Sequence, residues 1–429
     1  MTGREAEDRA ERAGPPGHRL PLPAGQPFGF LAGVKVLDLT TSIAGPYAAM
    51  LLGDFGADVV KIERKQGDDA RGWGPPFLDG ESLWFLAVNR NKRSVALDYA
   101  DGPGAAALRE LIAQADVVLV NQPPRVARKL GIGPDQVKVL REDVVYVSIT
   151  GFGLDGTRAD WTCYDLIAEG YSGVMDVTGS PDGAAQKVGA PAADMLAGHD
   201  AAMAAIAALF GRMQTGKGAV IGVSLVESMT RFLSCRIVPY LGSGEVPSRS
   251  GGTDSVIAVY QAFDTADLPI TLGLGSDNLW RRFWEALGEP ERASAAGTAS
   301  NADRRARRAE IVADIQERLL RKPRAHWLDL FQAARIPAGP INRVDEVAAD
   351  EELIARGMFF RLEEPGRIVP QVGTGFTVDG APNRPRRMPP LLGAHTDEVL
   401  AEWLGRKPDA SRPAAPGPIP NGRASIPPL

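Results

Sequence analysis

The sequence predicts an α/β fold built on a parallel, doubly wound sheet, with a second domain following it. Two observations carry the first part. Val- and Ile-rich runs bounded by polar or Gly residues recur from residue 34, and segments with helical spacing lie between them. A third observation, the Gly- and Ser-rich texture of residues 242–254, marks where the second domain begins.

The runs at 34–39, 58–62, 94–97, 116–120 and 144–149 read as short buried strands. Helices are expected at 46–55, 104–113 and 134–140, between parallel strands. Ligands of such a sheet sit beyond the carboxyl ends of its strands. The first strand-to-helix turn reads Thr40-Thr-Ser-Ile-Ala-Gly45-Pro46 and contains no G-x-G-x-x-G, which disfavours a nicotinamide or flavin enzyme. Further on, Gly211-Arg-Met-Gln-Thr-Gly216-Lys217-Gly218 comes close to a P-loop. It lacks the Ser or Thr after the lysine and lies between a helix and a strand at 220–225, the reverse of the order a phosphate cradle needs. It reads as a helix stop.

After 254 the pattern suggests a hairpin (256–263 and 270–273), then amphipathic segments at 278–287, 303–320 and 324–334. The run Arg304-Arg305-Ala-Arg307-Arg308 reads as the solvated face of a helix. Ile336-Pro-Ala-Gly-Pro-Ile-Asn342 reads as a second linker. The expected organisation is a tail over 1–27, a first part of a large domain over 28–241, a small domain over 242–335, a linker and return to the large domain over 336–406, and a tail over 407–429. Both tails are rich in Pro and Gly and are expected to be disordered.

Over 429 residues, 44% hydrophobic and 24% charged, the chain has the make-up of a globular protein with room for two or three cores. Its formal net charge of -5 supplies no basic stripe for nucleic acid and no cationic surface for an anionic membrane. Two cysteines, Cys163 and Cys235, allow no disulfide framework and no Cys-rich zinc site, and they fit a reducing cytoplasm. No apolar run is expected to span a membrane. Residues 1–27 lack an apolar signal core, and Glu5, Glu7, Asp8 and Glu11 argue against a transit peptide. The four histidines are scattered, and H-E-x-x-H, G-x-S-x-G and C-x-x-C are all absent, so metalloprotease and hydrolase-elbow readings lose their support.

One stretch concentrates the chemistry. Pro191-Ala-Ala-Asp194 opens a long apolar segment that runs past Leu209, with no other charge before His199 and Asp200. Asp194 there is a good N-cap, because its side-chain oxygen can accept from an orphan N–H of the first turn. The same helix terminus can hold an ionised carboxylate as a nucleophile. Capping is the commoner use of such a residue. Cys163, with no basic neighbour in sequence, reads as a small buried hydrophobe, and His199 as a satisfied buried histidine on the same helix.

Several stretches in order resemble the family III CoA-transferases, the group that includes formyl-CoA transferase, carnitine CoA-transferase and α-methylacyl-CoA racemase. They are Gly33-Val-Lys-Val-Leu-Asp-Leu-Thr40 with Ala44-Gly-Pro46, Gly56-Ala-Asp-Val-Val-Lys-Ile-Glu-Arg64, Asn89-Arg-Asn-Lys-Arg-Ser-Val-Ala-Leu-Asp98, Gly151-Phe-Gly153, Pro191-Ala-Ala-Asp194, Thr215-Gly-Lys-Gly218 and Ile336-Pro-Ala-Gly-Pro340. The resemblance runs from about residue 30 to 404. It implies a Rossmann-like large domain built from both chain ends, a smaller α+β central domain, and a homodimer of interlocked rings. It also implies coenzyme A or acyl-CoA as substrate, a carboxylic acid acceptor, and no metal, nicotinamide or flavin.

By that resemblance Asp194 is the catalytic nucleophile, forming covalent acyl intermediates as CoA passes between acids. Ser42, Ile43, Ala44 and Arg64 contact the ADP part of CoA, Asn121 opens a further CoA-binding stretch, and Arg128 and Lys129 neutralise phosphate. Gly251 and Gly252 stand where the family has a loop whose N–H groups stabilise oxyanions, although this loop is shorter in glycine. The racemases of the family place a histidine where this chain has Tyr164, and a phenol is a poor base for an α-carbon at neutral pH. CoA transfer is therefore favoured. Two alternatives stay open. A racemase would exchange the substrate α-proton with solvent deuterium without any acceptor acid, and a silent CoA-binding protein would leave Asp194 unmodified in the presence of acyl-CoA.

Overall fold

A computed structural model describes residues 15–407 except 101 and 255. Within the first 172 residues it contains β1 (Lys35–Asp38), α1 (Ala44–Asp54), β2 (Asp58–Glu63), β3 (Lys92–Ala96), α2 (Gly102–Gln114), β4 (Val117–Val120), α3 (Pro124–Lys129), α4 (Pro134–Leu140), β5 (Val145–Thr150) and α5 (Asp165–Ser172). Then come α6 (Ala192–Thr215), β6 (Ala219–Ser224) and α7 (Leu225–Phe232). The six strands form one sheet in the order β3-β2-β1-β4-β5-β6, and every neighbouring pair is parallel. The protein is thus α/β with a central parallel sheet of doubly wound order. That order reverses between β1 and β4, and in such sheets the crevice for a ligand opens at the reversal.

The strands are fully buried where the helices cover them. Leu37, Val60, Val95 and Val118 meet Leu108 and Leu111 of α2 and Trp403 of the helix Thr396–Leu404, so the chain's last described helix packs on the same core as its first strands. α6 is long and apolar enough to cross a membrane by length and composition, contrary to the sequence expectation that no segment would be. Its Ala and Gly face is buried on α1, and Gly198 is the contact point, because a Cβ there would lie 2.5 Å from the Ala44 carbonyl oxygen. Small residues let the two helices approach. Gly216, at φ 69°, stops α6 in the left-handed conformation that glycine tolerates.

The expected tails at 1–14 and 408–429 lie outside the described residues. Residues 15–27, expected to belong to the first tail, are instead tied down. Pro16–Arg19 makes a 3-10 turn, Arg361 donates its N–H to the Pro21 carbonyl at 2.9 Å, and Phe28 stacks on Phe55 and Phe376. Prolines that preset the backbone lower the entropy of docking such a segment, which composition alone reads as disorder.

The described chain divides into two compact units. One comprises residues to 172, 189–235 and from 348; the other comprises 173–188 and 236–347. The stretch 173–188, which the sequence reading leaves in the large domain, belongs to the second unit. That unit holds an antiparallel sheet of Ala338–Pro340, Ile270–Gly273 and Tyr260–Phe263 in that order. The first of these lies in the stretch expected to be a linker. Pro340 is tolerated because it sits on an edge strand. Around the sheet, Trp280, Phe283, Trp284, Trp327 and Phe331 make a separate core. Arg304 is not solvated as its basic run suggests. It is buried, donates to the Thr298 carbonyl at 2.8 Å, pairs with Asp277 and lies 5.2 Å from the Trp280 ring centroid.

A buried ionic group sits under the first strands. Asp38 of β1 lies 2.9 Å from Lys92 Nζ of β3 and 3.9 Å from Lys61 Nζ of β2, and all three side chains are shut off from solvent. Removing one member of such a group leaves charge buried without a partner. Asp38→Ala is therefore expected to destabilise the fold by about 3–5 kcal/mol, read as a lowered midpoint in urea denaturation.

Candidate active site

The turn after β1 is the first wall of the site, and each of its residues is held from below or beside. The Thr40 N–H donates to Asp38 Oδ1 (3.0 Å), Lys61 Nζ donates to the Thr40 carbonyl (2.7 Å), and the Ser42 N–H donates to Asp68 Oδ1 (3.0 Å). Asn121, just past β4, accepts from the Thr41 N–H at 3.1 Å and donates to its carbonyl at 2.8 Å. The two strands at the sheet's reversal are thereby clamped together by one amide. Ser42 is held at φ 70°, a left-handed conformation that a non-Gly residue adopts at a cost and that clusters at ligand sites. Ile43 and Ala44 are buried, so they can present only backbone to a ligand. Among the described residues no side chain caps α1, whose N-cap Ile43 has no acceptor to offer, and this leaves the start of that helix open to an anion.

Beside this turn is a cleft of about 440 Å³ lined by Thr41, Arg64, Lys65, Tyr99, Gln122 and Leu130, among others. It lies beyond the carboxyl ends of β1, β2, β3 and β4, where the strand order predicts a ligand. Of the residues expected to contact CoA, the structure gathers Ser42, Ile43, Ala44 and Asn121 at the turn and puts Arg64 in the cleft wall. Arg64 is half-exposed and, among the described residues, pairs with the exposed carboxylate of Asp69 at 3.2 Å. Arg128 and Lys129 end α3 on its exposed side and do not line the cleft, although Val126 and Leu130 next to them do. Lys65, Tyr99 and Gln122 are cleft residues that sequence reasoning missed. Lys65 directly follows Arg64, and Gln122 directly follows Asn121, so adjacency to the motif residues is the signal that could have found them.

Asp194 stands in the first turn of α6, one turn before Gly198, and Gly198 touches Ala44 of the β1 turn. The packing of α6 on α1 therefore brings the candidate nucleophile to the candidate CoA turn. The sequence reading of Asp194 as N-cap is corrected here. Pro191 occupies that position, no side chain of α6 caps it, and Asp194 is the third helical residue. The cap comes from Asp165 at the start of α5, whose Oδ1 accepts from the N–H groups of Ala193 (2.8 Å) and Asp194 (3.2 Å).

The expectation that the helix end keeps Asp194 ionised is also corrected. Burial, and then the Asp165 charge, push its carboxyl up to about 7. The Cys163 thiol beside it is raised to about 11 by burial and by Asp194, which makes it a poor thiolate and a poor nucleophile. Tyr164, which follows Cys163 in sequence, is 68% exposed and so reachable by a substrate. His199 is exposed rather than a buried histidine. Among the described residues no group of His, Cys, Asp and Glu could hold a metal ion.

Gly251 and Gly252 belong to the second unit and both have positive φ, 63° and 84°. The Gly251 N–H already donates to the Gly179 carbonyl at 3.0 Å. Of the two expected oxyanion donors, this one is committed.

With this geometry in place the comparisons are direct. The profile of CoA-transferase family III matches residues 31–396. A succinate–glutarate CoA-transferase of Agrobacterium fabrum is 38% identical over 380 residues, covering 87% of this chain and 95% of its own. The human succinyl-CoA:glutarate CoA-transferase is 36% identical over 378 residues, covering 87% and 86%. A crystal structure of a CAIB/BAIF family protein from Brucella suis superposes with a TM-score of 0.77 at 36% identity, covering 88% of this chain and all of that one. The chain belongs to CoA-transferase family III, enzymes that move CoA between carboxylic acids.

A buried acid with a raised pKa weakens the fold once the unfolded chain can ionise it. The folded carboxyl titrates near 7 and the unfolded one near 3.8, so stability falls as pH rises through that window and is level above it. Asp194→Asn should match the wild-type melting temperature at pH 3.5 and exceed it from pH 7 upward. Allowing for the part-exposure of the group, the gain should be on the order of 1 kcal/mol. Thermal melts of the two proteins across this range check it.

Proposed function

We propose that the protein transfers CoA from an acyl-CoA thioester to a carboxylic acid through covalent intermediates on Asp194. The observation that carries this is the Asp194 carboxylate itself, which accepts no hydrogen bond among the described residues and lies beside the β1 turn. A carboxylate without hydrogen bonds is less stabilised than one in water and more nucleophilic for it. CoA is held by the backbone of Ser42, Ile43 and Ala44 and by Asn121, with Arg64 on the ADP part; Arg128 and Lys129 supply outer positive charge to its phosphates. Both named relatives act on succinate and glutarate, so short dicarboxylic acids are the substrate class we assign.

In this scheme one Asp194 oxygen bonds to the acyl carbon, the carbon–sulfur bond breaks, and CoA leaves as thiolate with the electron pair. The thiolate then attacks the Asp194 carbonyl of the mixed anhydride, releasing the donor acid and leaving an aspartyl-CoA thioester. The acceptor carboxylate attacks that carbonyl, giving a second anhydride and CoA thiolate again. Attack of the thiolate on the acceptor acyl carbon makes the product thioester and regenerates Asp194. The net reaction exchanges one thioester for another of similar energy, so no ATP is needed. Gly251 and Gly252 stay the oxyanion-loop candidates that the family resemblance implies, and Tyr164 the residue proposed for the acyl end.

Incubation with succinyl-CoA and hydroxylamine should convert Asp194 to its hydroxamate, read by mass spectrometry of the peptide that contains it. Asp194→Ala should lose this adduct and lose CoA transfer by about 10⁴-fold or more. Full transfer activity in that variant would overturn the reading.

We further propose a homodimer. Met203, Phe210 and Met213 project from one face of α6, exposed at 53%, 64% and 86%. An apolar stripe of that kind on a helix otherwise packed in a core is expected to be covered by a partner. Light scattering should give twice the chain mass, and Phe210→Glu with Met213→Glu should shift the protein toward monomer.

A further inference from the structure

Asp165 is left over from the chemistry just described. It makes no ion pair among the described residues and opens α5, eight residues long, with its carboxylate turned to another helix. Its two acceptor bonds go to the N–H groups of Ala193 and Asp194, which lie in the first turn of α6, where an N-cap side chain would normally bond. Pro191 holds the N-cap position and has no side-chain acceptor to offer. Asp194, as the third helical residue, would ordinarily turn its own carboxylate back onto the free N–H groups of that turn. With Asp165 on two of them, it does not.

We propose that Asp165 is a positioning residue: by capping α6 from α5 it frees the Asp194 carboxylate from helix capping and fixes it for attack on the acyl carbon. This rests on the reading of Asp194 as nucleophile. It departs from an ordinary cap in one respect, because the capping group is itself a like charge beside the group it positions. A neutral Asn or Ser at 165 would cap equally well. The negative charge therefore has a separate effect, which is to make the free Asp194 carboxylate more basic.

The other groups facing this end of α6 do not supply that effect. Cys163, on the loop before α5, is held as a neutral thiol. Glu169 is buried a turn further along α5. Tyr47 of α1 packs on Gly198 and is raised by its burial, so it too is uncharged. Asp200, further along α6, is committed to Ser228 at 2.8 Å and to Arg231, both of α7. His199 is exposed, and Tyr164 is a neighbour of Asp165 in sequence.

Two variants separate the two roles. Asp165→Asn keeps an oxygen for the two N–H groups and loses the charge, whereas Asp165→Ala loses both. The measurements are kcat and KM with succinyl-CoA and glutarate, the acid limb of kcat/KM against pH, and the melting temperature. Asp165→Ala should lower the melting temperature and lower kcat about 100-fold, with KM for acyl-CoA changed by no more than about twofold, because the CoA turn is not touched. Asp165→Asn should keep the wild-type melting temperature and recover most of kcat. Its acid limb should move down from near pH 7 by at least about one unit.

The proposal is overturned if Asp165→Ala keeps wild-type kcat, or if Asp165→Asn leaves the acid limb in place. A loss confined to melting temperature in Asp165→Ala also overturns it, since that is what a purely structural cap would give. Failure of the underlying reading looks different, because Asp194→Ala would then retain transfer whatever residue 165 is.

Discussion

The site depends on an ionic group that no ligand ever touches. Asp38, Lys61, Lys92 and Asp68 are buried at the top of β1 to β3, and between them they fix the β1 turn at both ends. Lys61 reaches the Thr40 carbonyl, Lys92 reaches the Pro46 carbonyl at 2.7 Å, and Asp68 takes the Ser42 N–H. Burial pushes the Asp38 carboxyl up, but Lys92 and Lys61 outweigh it and hold it below its ordinary value. Lys92 is pushed down to about 8, by burial first and by the like charge of Lys61, whereas Lys61, flanked by Asp68 and Asp38, is raised. Four buried charges contribute little net stability compared with apolar side chains of the same volume. Their value lies in direction: a backbone turn with several carbonyls and one left-handed serine cannot be held by apolar contacts, which have no preferred angle.

On the proposed reading a held turn matters because CoA binding there would otherwise include the entropy of ordering it. The same constraint reaches Asp194. α1 begins where the turn ends, Gly198 lets α6 sit directly on it, and Asp194 is one turn away from that contact. Position thus passes from a buried ion cluster, through a turn and the close helix-to-helix contact at Gly198, to the Asp194 carboxylate. Every link is short, and the two lysines in the cluster are pinned by their buried carboxylate partners.

Much of this was legible in the sequence, and what was not has a common cause. All six strands of the parallel sheet stand within a residue or two of where Val and Ile runs put them, because strands packed under helices favour such residues even where a buried charge such as Lys61 interrupts the run. The turn residues Ser42 to Ala44, Asn121 and Asp194 also came from the sequence, by motif. Cap ownership did not: Asp194 reads as the cap on paper, and only the fold shows that the carboxylate of Asp165 reaches the N–H groups of that helix. Arg304 misled for the same reason, since four arginines in five residues look solvated until Asp277 and Trp280 arrive from another helix. The strand Ala338–Pro340 has almost no strand propensity and exists because Ile270–Gly273 offers it an edge.

The raised pKa of Asp194 then follows, on the proposed reading, as a compromise rather than a defect. A carboxylate at its ordinary pKa is fully ionised at neutral pH but weakly nucleophilic, and it is a good leaving group from its own anhydride. Desolvation and Asp165 make it more basic, which speeds attack on the thioester, yet each further unit removes ionised enzyme at neutral pH. A value near 7 is where gain in basicity and loss of ionised fraction balance for an enzyme working near that pH. In the proposed scheme the like charge of Asp165 moves the carboxyl toward this balance while its oxygen caps the helix, so one residue would set both where Asp194 points and how strongly it reacts.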